Sequence, residues 1–345
     1  STLATGELLD EMCHLAAQSL TAMDTSEHFR VVKLLGEGSY GKVMLAVHRS
    51  SPRESTSLFS FLREYNLSLS FCTHPSLTRA LGIAYSTPSH YVFAQQASLF
   101  GDLYDVILPE VGMAEDSCQR VVSQLCGALS HLHSLGFVHR DLKPENVFLC
   151  DSACRWVKLG DFGMAAGTKV PEVWYSSPYC TPESEVARGN EDSWSAGIWV
   201  SVEPSTDTWA LGVLTYAMLT GAHPWAETAG DCQSYLRYRE WSDGAKGPDD
   251  ELDVWAEPQG KGGLVEEGPP VAPQFACFTP LACRFFRTLL DPRPRLRGRP
   301  EVALNYLGGV WVMEKERARL EEERKKSGGK VAIRSMKEKE GRGER

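Results

Sequence analysis

Several features that would assign the chain to a large functional class are missing. Its ten cysteines include no C-x-x-C pair, so spacing suggests neither a zinc site nor a dithiol redox motif, and scattered thiols fit a reducing compartment. No apolar run approaches the ~18 residues that a membrane span needs. The opening STLATGELLDEM has neither the basic nor the apolar region of a secretory signal. A soluble, cytoplasmic protein without a membrane span is expected. An excess of positive charge is missing too: the formal net charge is −9, which argues against nucleic acid as a partner, because that affinity rests on phosphate neutralisation by Lys and Arg. There is no internal repeat.

What is present is enough chain, 345 residues with 42% hydrophobic content, for one two-lobed domain or two compact ones. Residues 1–28 form a leader in which Leu8, Leu9, Met12 and Leu15 recur at helical spacing. From Phe29, VVKLL, GEGSYG and KVMLAV read as strand, glycine turn and strand. Beyond residue 100 the period becomes helical, with Val121, Leu125, Leu129 and Leu132 along one face. A β-rich small lobe followed by an α-rich large lobe is implied. Residues 242–274, rich in Gly, Pro and acid, read as a long surface loop. Residues 313–345 form a separate charged tail, expected to start as a helix and end in disorder.

Chemistry concentrates in a few strings. Gly36, Gly38 and Gly41 in GEGSYGKV match G-x-G-x-x-G-x-V, which lets backbone amides approach phosphate with no Cβ in the way. A dinucleotide-binding loop shares these glycines, but there the third one opens a helix, whereas KVMLAV continues as a strand. VHRDLKPENVFL follows at residues 138–149, and Asp161-Phe162-Gly163 comes fifteen positions after Asn146. Hard carboxylates at such a turn suit Mg²⁺, which prefers oxygen ligands. Tyr179-Cys180-Thr181-Pro182-Glu183 stands where an A-P-E string would be, and residues 207–225 read as a buried helix opened by Asp207.

Together these strings resemble the protein kinase catalytic set. FLREYN, YVFAQQ, FGDLYDVILPEVG and LLDPRPRLR further resemble the SH3-domain-binding serine/threonine kinase family. The resemblance implies an α+β, bilobal protein kinase fold over 29–312, with an N-lobe at about 29–96 and a C-lobe at about 99–312. It implies γ-phosphoryl transfer from ATP, with Mg²⁺, to Ser or Thr hydroxyls of a protein substrate, and SH3-domain partners. Asp141 would accept the hydroxyl proton, Lys143 would neutralise the moving phosphoryl, and Asn146 and Asp161 would hold the metal. Leu35, Gly36, Glu37, Gly38, Ser39, Tyr40, Gly41 and Val43 would cover the nucleotide, with Phe148 as its floor. Gln95 would be the gatekeeper, and Gln96 to Ser98 the hinge. Ser176 would stand beside Asp141 and Lys143, Asp207 would cap the catalytic-loop amides, and Glu183 would pair with Arg295. Arg140 would permit control by phosphate on Thr168 or Tyr175. The P-x-x-P at Pro270–Pro273, the site SH3 domains would need, has acidic neighbours.

Three departures from that pattern stand out. Kinases carry a lysine on the third strand of the small lobe, paired with a glutamate on the next helix. Glu64 in FLRE fits the glutamate, but HRSSPRESTSLFS holds no lysine, and the interval from Gly41 to Glu64 is short by about one strand of ~5–6 residues and its connection. Lys42 should face away if Val43 faces the nucleotide, and Arg53 sits in a segment without strand period. One N-lobe strand is therefore expected to be deleted, leaving 47–60 poorly ordered. SWSAGIWV at 193–200 and the 242–274 loop read as insertions. The alternative function is a pseudokinase scaffold or inactive isoform lacking the ATP-gripping lysine.

Overall fold

The computed structural model describes residues 2–22, 33–38, 41–45, 48–52, 57–71, 73–98, 100–167, 170–171, 177–184, 199–200, 203–228, 231–244 and 270–340. Helix α1 (Thr2–Ser19) and the short strand β1 (Thr21–Ala22) come first. Strands β2 (Lys33–Gly38), β3 (Gly41–Leu45) and β4 (His48–Pro52) follow, then helix α2 (Leu58–Ser70) and strands β5 (Ala80–Ser86) and β6 (His90–Gln95). The six strands form one sheet in the order β1-β5-β6-β4-β3-β2. Every neighbour pair is antiparallel except β1 on β5.

The strand expected to be deleted is therefore present. His48–Pro52 pairs with β3 on one side, Val43 opposite Arg49, and with β6 on the other, Arg49 opposite Phe93. Its composition, His-Arg-Ser-Ser-Pro, is a poor strand signal. The ladder overrides it, because without β4 the facing edges of β3 and β6 would leave rows of unpaired backbone groups, each costing ~1–3 kcal/mol where buried. Residues 57–60 are ordered as well: Ser57 caps α2, its hydroxyl accepting from the amide of Ser60 at 3.1 Å. Val47 and residues 53–56 lie outside the described residues.

Helix α2 lies on the sheet through aromatic contacts. Phe61 stacks on Tyr91 at 5.3 Å and tilts against Phe93 at 5.8 Å, while Tyr65 meets Phe93 at 5.6 Å. The leader docks against α2, but on a face other than the one its apolar spacing suggested: Leu9 and Cys13 are buried, whereas Leu8 and Leu15 are exposed. The amide of Asn66 on α2 reaches Cys13 Sγ at 3.6 Å.

The large lobe comprises α3 (Glu115–Ser134), the hairpin of β7 (Val147–Leu149) and β8 (Val157–Leu159), a small ladder of β9 (Val170–Pro171) with β10 (Trp199–Val200), α4 (Pro204–Thr220), α5 (Gln233–Gly244), α6 (Pro280–Leu289), α7 (Pro294–Arg297) and α8 (Glu314–Glu340). Thus the end of the 193–200 insertion is a paired strand, while 193–198 lie outside the described residues. Of the 242–274 loop, 242–244 complete α5 and Pro273 opens a 3-10 turn, with 245–269 outside the description.

Apolar all round, α4 is the centre of this lobe: fourteen of its seventeen residues are buried, as a helix surrounded by others requires. It ends on Gly221, at φ 71°, where a Cβ would lie 2.0 Å from the carbonyl oxygen of Leu108. Phe275 anchors an aromatic cluster with Tyr216, Tyr238, Trp241, Phe278 and Phe286, all with ring centroids between 5.2 and 6.1 Å. The tail runs as helix to Glu340. Leu320 buries its side chain, and Arg319 pairs with Glu316 and Glu323 on the solvent side.

An interior β4 has a measurable consequence. Ser50→Pro removes a ladder donor and adds a ring inside the sheet, so it is expected to cost about 3 kcal/mol or more in a urea or thermal melt followed by circular dichroism. Unchanged stability would show that 48–52 is not an interior strand.

Candidate active site

Between the lobes, two turns of the large lobe are locked together by backbone. The amide of Gly160 donates to the carbonyl of Asn146 at 2.9 Å, and His139 Nε2 donates to the carbonyl of Gly160 at 2.9 Å. Their side chains converge accordingly. Asn146 Nδ2 donates to the carbonyl of Asp141 at 2.7 Å and to its carboxylate at 2.9 Å, and Lys143 Nζ lies 3.5 Å from the other carboxylate oxygen. Burial pushes the Asp141 carboxyl up, and the nearby charge of Asp161 adds to this; Lys143, His139 and the Asn146 amide oppose it. The Asp161 carboxylate and the Asn146 amide oxygen are hard donors of the kind a divalent cation takes, and such a cation would relieve the repulsion between Asp161 and Asp141.

Backbone strain marks both turns. Arg140 and Asp161 have φ of 68° and 57°, a left-handed conformation uncommon for residues with a Cβ. What holds the first turn is Asp207, fully buried in the first turn of α4. Its carboxylate accepts from the amides of His139 and Arg140, each at 2.9 Å, and from His133 Nε2 at 2.7 Å. Burial pushes this carboxyl up, but the His133 hydrogen bond, the charges of His133 and His139 and the Arg140 amide outweigh it and hold it below the usual aspartate range. Asp207 is thus the expected cap of the catalytic-loop amides. It is not the helix N-cap, a position that belongs to Glu203. The second turn is held by Phe162, whose ring sits edge-on to Phe71 at 5.1 Å and to His139 at 5.8 Å. Gly160 leaves no room for a side chain: a Cβ there would lie 2.7 Å from the ring of Phe148 and 2.8 Å from the hydroxyl of Thr78.

The glycine-bearing hairpin belongs to the small lobe. Leu35, Gly36, Glu37 and Gly38 lie on β2, and Gly41 and Val43 on β3, with Gly36 opposite Val43; Ser39 and Tyr40 lie outside the described residues. Glu64 is 9% exposed on α2, its carboxylate 4.0 Å from the position of a Cβ on Gly163. Its neighbour Arg63 donates to the carbonyl of Ala165, tying α2 to the segment after Gly163. Gln95 ends β6, half-buried. Gln96 donates its amide to Arg79 and accepts at 2.7 Å from Lys158 Nζ, while Ser98 lies 4.0 Å from Cys150 Sγ. Phe148 is half-buried on β7, bridged to Asp102. Ser176, Thr168 and Tyr175 lie outside the described residues.

One expected contact is corrected. Glu183 pairs not with Arg295, which is exposed, but with Arg297, through two hydrogen bonds of 2.9 and 3.0 Å. Two residues along the short α7 turn the side chain to the other side. Arg297 has no exposed surface. It also donates to the carbonyls of Asp291 and Ser205 and lies 4.8 Å over the ring of Trp209, so its burial is fully compensated. His133, Phe71 and Thr78 were not singled out from the sequence, for no motif letter marks them. Arg297 could have been found, two places along the same LLDPRPRLR.

Residues 29–304 match the protein kinase domain family. The chain belongs to the protein kinase family. Serine/threonine-protein kinase SBK1 of Danio rerio is 34% identical over 325 residues, covering 91% of this chain and 77% of the relative. SBK2 of Rattus norvegicus is 34% identical over 326 residues, covering 90% and 82% respectively. The more distant meng-po of Drosophila melanogaster is 28% identical over 306 residues, covering 85% and 60%. SBK1 and SBK2 are the group that the sequence motifs resembled. A kinase domain implies ATP and a divalent metal as its ligands, and the oxygen donors of Asn146 and Asp161 fit such a metal.

Buried charge makes two stability predictions. Arg297→Ala is expected to cost about 3–5 kcal/mol by leaving Glu183 and two carbonyls unpaired, whereas Arg295→Ala should stay within ~0.5 kcal/mol in the same denaturant melts. Since Asp207 titrates below its unfolded value of ~3.9, its contribution is complete at neutral pH. It should be lost only as pH falls through the depressed folded value, so the stability gap between the parent and Asp207→Asn should narrow only in strong acid.

Proposed function

We propose that this chain is a serine/threonine protein kinase that transfers the γ-phosphoryl of ATP, with Mg²⁺, to a hydroxyl of a protein substrate. The observation that carries the reading is the convergence of Asp141 and Asn146, joined by a 2.9 Å hydrogen bond, with Asp161 close enough for its charge to act on the Asp141 carboxyl. Mg²⁺ is favoured over softer metals by an all-oxygen donor set. Asp141 takes the proton of the substrate hydroxyl as its oxygen bonds to the γ-phosphorus. The bond from that phosphorus to the bridging oxygen breaks, and ADP leaves with the electron pair. Lys143, beside Asp141, offsets charge on the moving phosphoryl, and a lysine at this place in the loop supports serine and threonine as acceptors.

The inactive-scaffold alternative drew on the missing third-strand lysine; β4 restores the strand without a lysine, and it is the kinase-domain match and the serine/threonine-protein kinase relatives that favour the active reading. A cytoplasmic location belongs to the same proposal, supported by nine free cysteines among the described residues. No described helix is long and apolar enough to cross a membrane. An SH3-domain partner would engage Pro270–Pro273, where Pro270, Val271 and Pro273 are exposed and Ala272 is buried.

The test is phosphotransfer from Mg·ATP to a generic protein substrate, followed by phosphoamino-acid analysis. Asp141→Asn is expected to lower kcat by roughly 10²-fold or more while leaving ATP affinity within a few-fold. Activity that survives this substitution, or label found on tyrosine, would remove the proposed mechanism or acceptor class.

A further inference from the structure

Lys158 is a buried cation that the chemistry above does not use. It lies on β8, 4% exposed and directly opposite Phe148, the residue expected beneath the nucleotide. Opposite residues of an antiparallel pair share a face, so the two side chains leave the hairpin on the same side. Lys158 Nζ donates to Gln96 Oε1 at 2.7 Å and stands 4.8 Å from the centroid of the Trp156 ring. No carboxylate among the described residues pairs with it. Burial pushes its pKa down; the Cys150 thiol opposes this and the Arg79 charge adds to it. An ammonium at this depth without a counter-ion costs more stability than a neutral side chain of the same length would.

What it holds is the segment between the lobes that begins at Gln96. Farther along, that segment is fastened to β7 by backbone: the amide of Phe100 donates to the carbonyl of Leu149 at 3.3 Å, and the amide of Leu149 to the carbonyl of Gly101 at 2.9 Å. At its start, the Gln96 amide donates at 2.8 Å to the carbonyl of Arg79, one residue before β5 of the small lobe. The bond from Lys158 ties the same residue to the large lobe. Lys158 is itself well anchored. Trp156 Nε1, beneath its stem, donates to the carbonyl of Pro75 at 2.8 Å, and Leu159 exchanges backbone hydrogen bonds with Ser76 and Thr78 at 2.8 and 2.9 Å.

We propose that Lys158 is a positioning residue for nucleotide binding, which acts through Gln96 to hold the start of the interlobe segment at a fixed distance from β8 and so presets the gap that receives the adenine of ATP. The inference rests on the kinase reading above. A backbone ordered beforehand pays less entropy when its ligand arrives, so the latch contributes to affinity. It does not contribute to the chemical step, because Asp141 and Asp161 are held by Asp207 and Phe162, which Lys158 does not touch.

This separation of affinity from chemistry provides the test. Adenosine affinity by titration calorimetry, kcat and KM for ATP by phosphotransfer, and thermal melting are compared for the parent, Lys158→Met, Gln96→Leu and the double variant. Methionine keeps an unbranched stem over Trp156 and removes the ammonium. Lys158→Met is expected to weaken adenosine binding and raise KM for ATP by roughly fivefold, with kcat within about twofold of the parent. Its melting temperature should equal or exceed that of the parent, since an unpaired buried charge is gone. Gln96→Leu should lose a similar amount of adenosine affinity, and the double variant no more than either single one, because all three break one contact. If Lys158→Met does not fold, Gln96→Leu reads the same contact from the other side on the same affinity criterion. Parent-like adenosine affinity in the single variants, additive losses in the double one, or a kcat that falls together with the melting temperature overturns the assignment and leaves the kinase reading in place. A parent chain that neither binds adenosine nor transfers phosphate sinks both.

Discussion

The carboxylate of Asp207 is the fixed point from which the cleft is built. Fully buried, it is tolerable only because two backbone amides and an imidazole satisfy it, and the two amide bonds fasten His139 and Arg140, the latter in a left-handed conformation a free chain would rarely adopt. From His139 the constraint passes to Gly160 and to the edge of Phe162, and so to the turn that bears Asp161. The positions of Asp141 and Asp161 are thus consequences of one buried charge on the central helix α4. The energy that strains Arg140 comes from satisfying the desolvated carboxylate.

Arg297 plays the corresponding part lower in the lobe. It ties Glu183, at the end of the segment after Asp161, to α7 and to the face of Trp209 on α4. Both buried ions therefore fasten loops to the same helix. Buried ion pairs of this kind are weak evidence for net stability but strong constraints on geometry, since the loss of either partner leaves an uncompensated charge. This suits a cleft in which positioning does most of the chemistry.

The small lobe shows a different physical rule. Backbone hydrogen-bond demand is indifferent to side chains, so a gap between β3 and β6 recruits His48–Pro52 despite its polar composition. Local propensity gave no hint of a strand there, because the signal resided in the edges of two neighbours that are distant in sequence. Likewise the apolar spacing of the leader identified a helix but not its buried face. Docking on α2 selects Leu9 and Cys13, and that choice depends on the shape of a partner formed fifty residues later.

Much of the site was legible in the letters. The glycine spacing, HRDLKPEN, Asp161-Phe162-Gly163 and Asp207 could be read directly because phosphoryl transfer requires particular charged groups at short, fixed separations, and such strings survive as local text. Two lobes could be read from the change of hydrophobic period. Left to the tertiary structure were the strand at 48–52 with its pairing between β3 and β6, the choice of Arg297 over Arg295 and the His133 support of Asp207. Each of these joins segments far apart in the chain, and each is decided by which backbone edge or buried charge needs a partner, a need that exists only once the chain has folded.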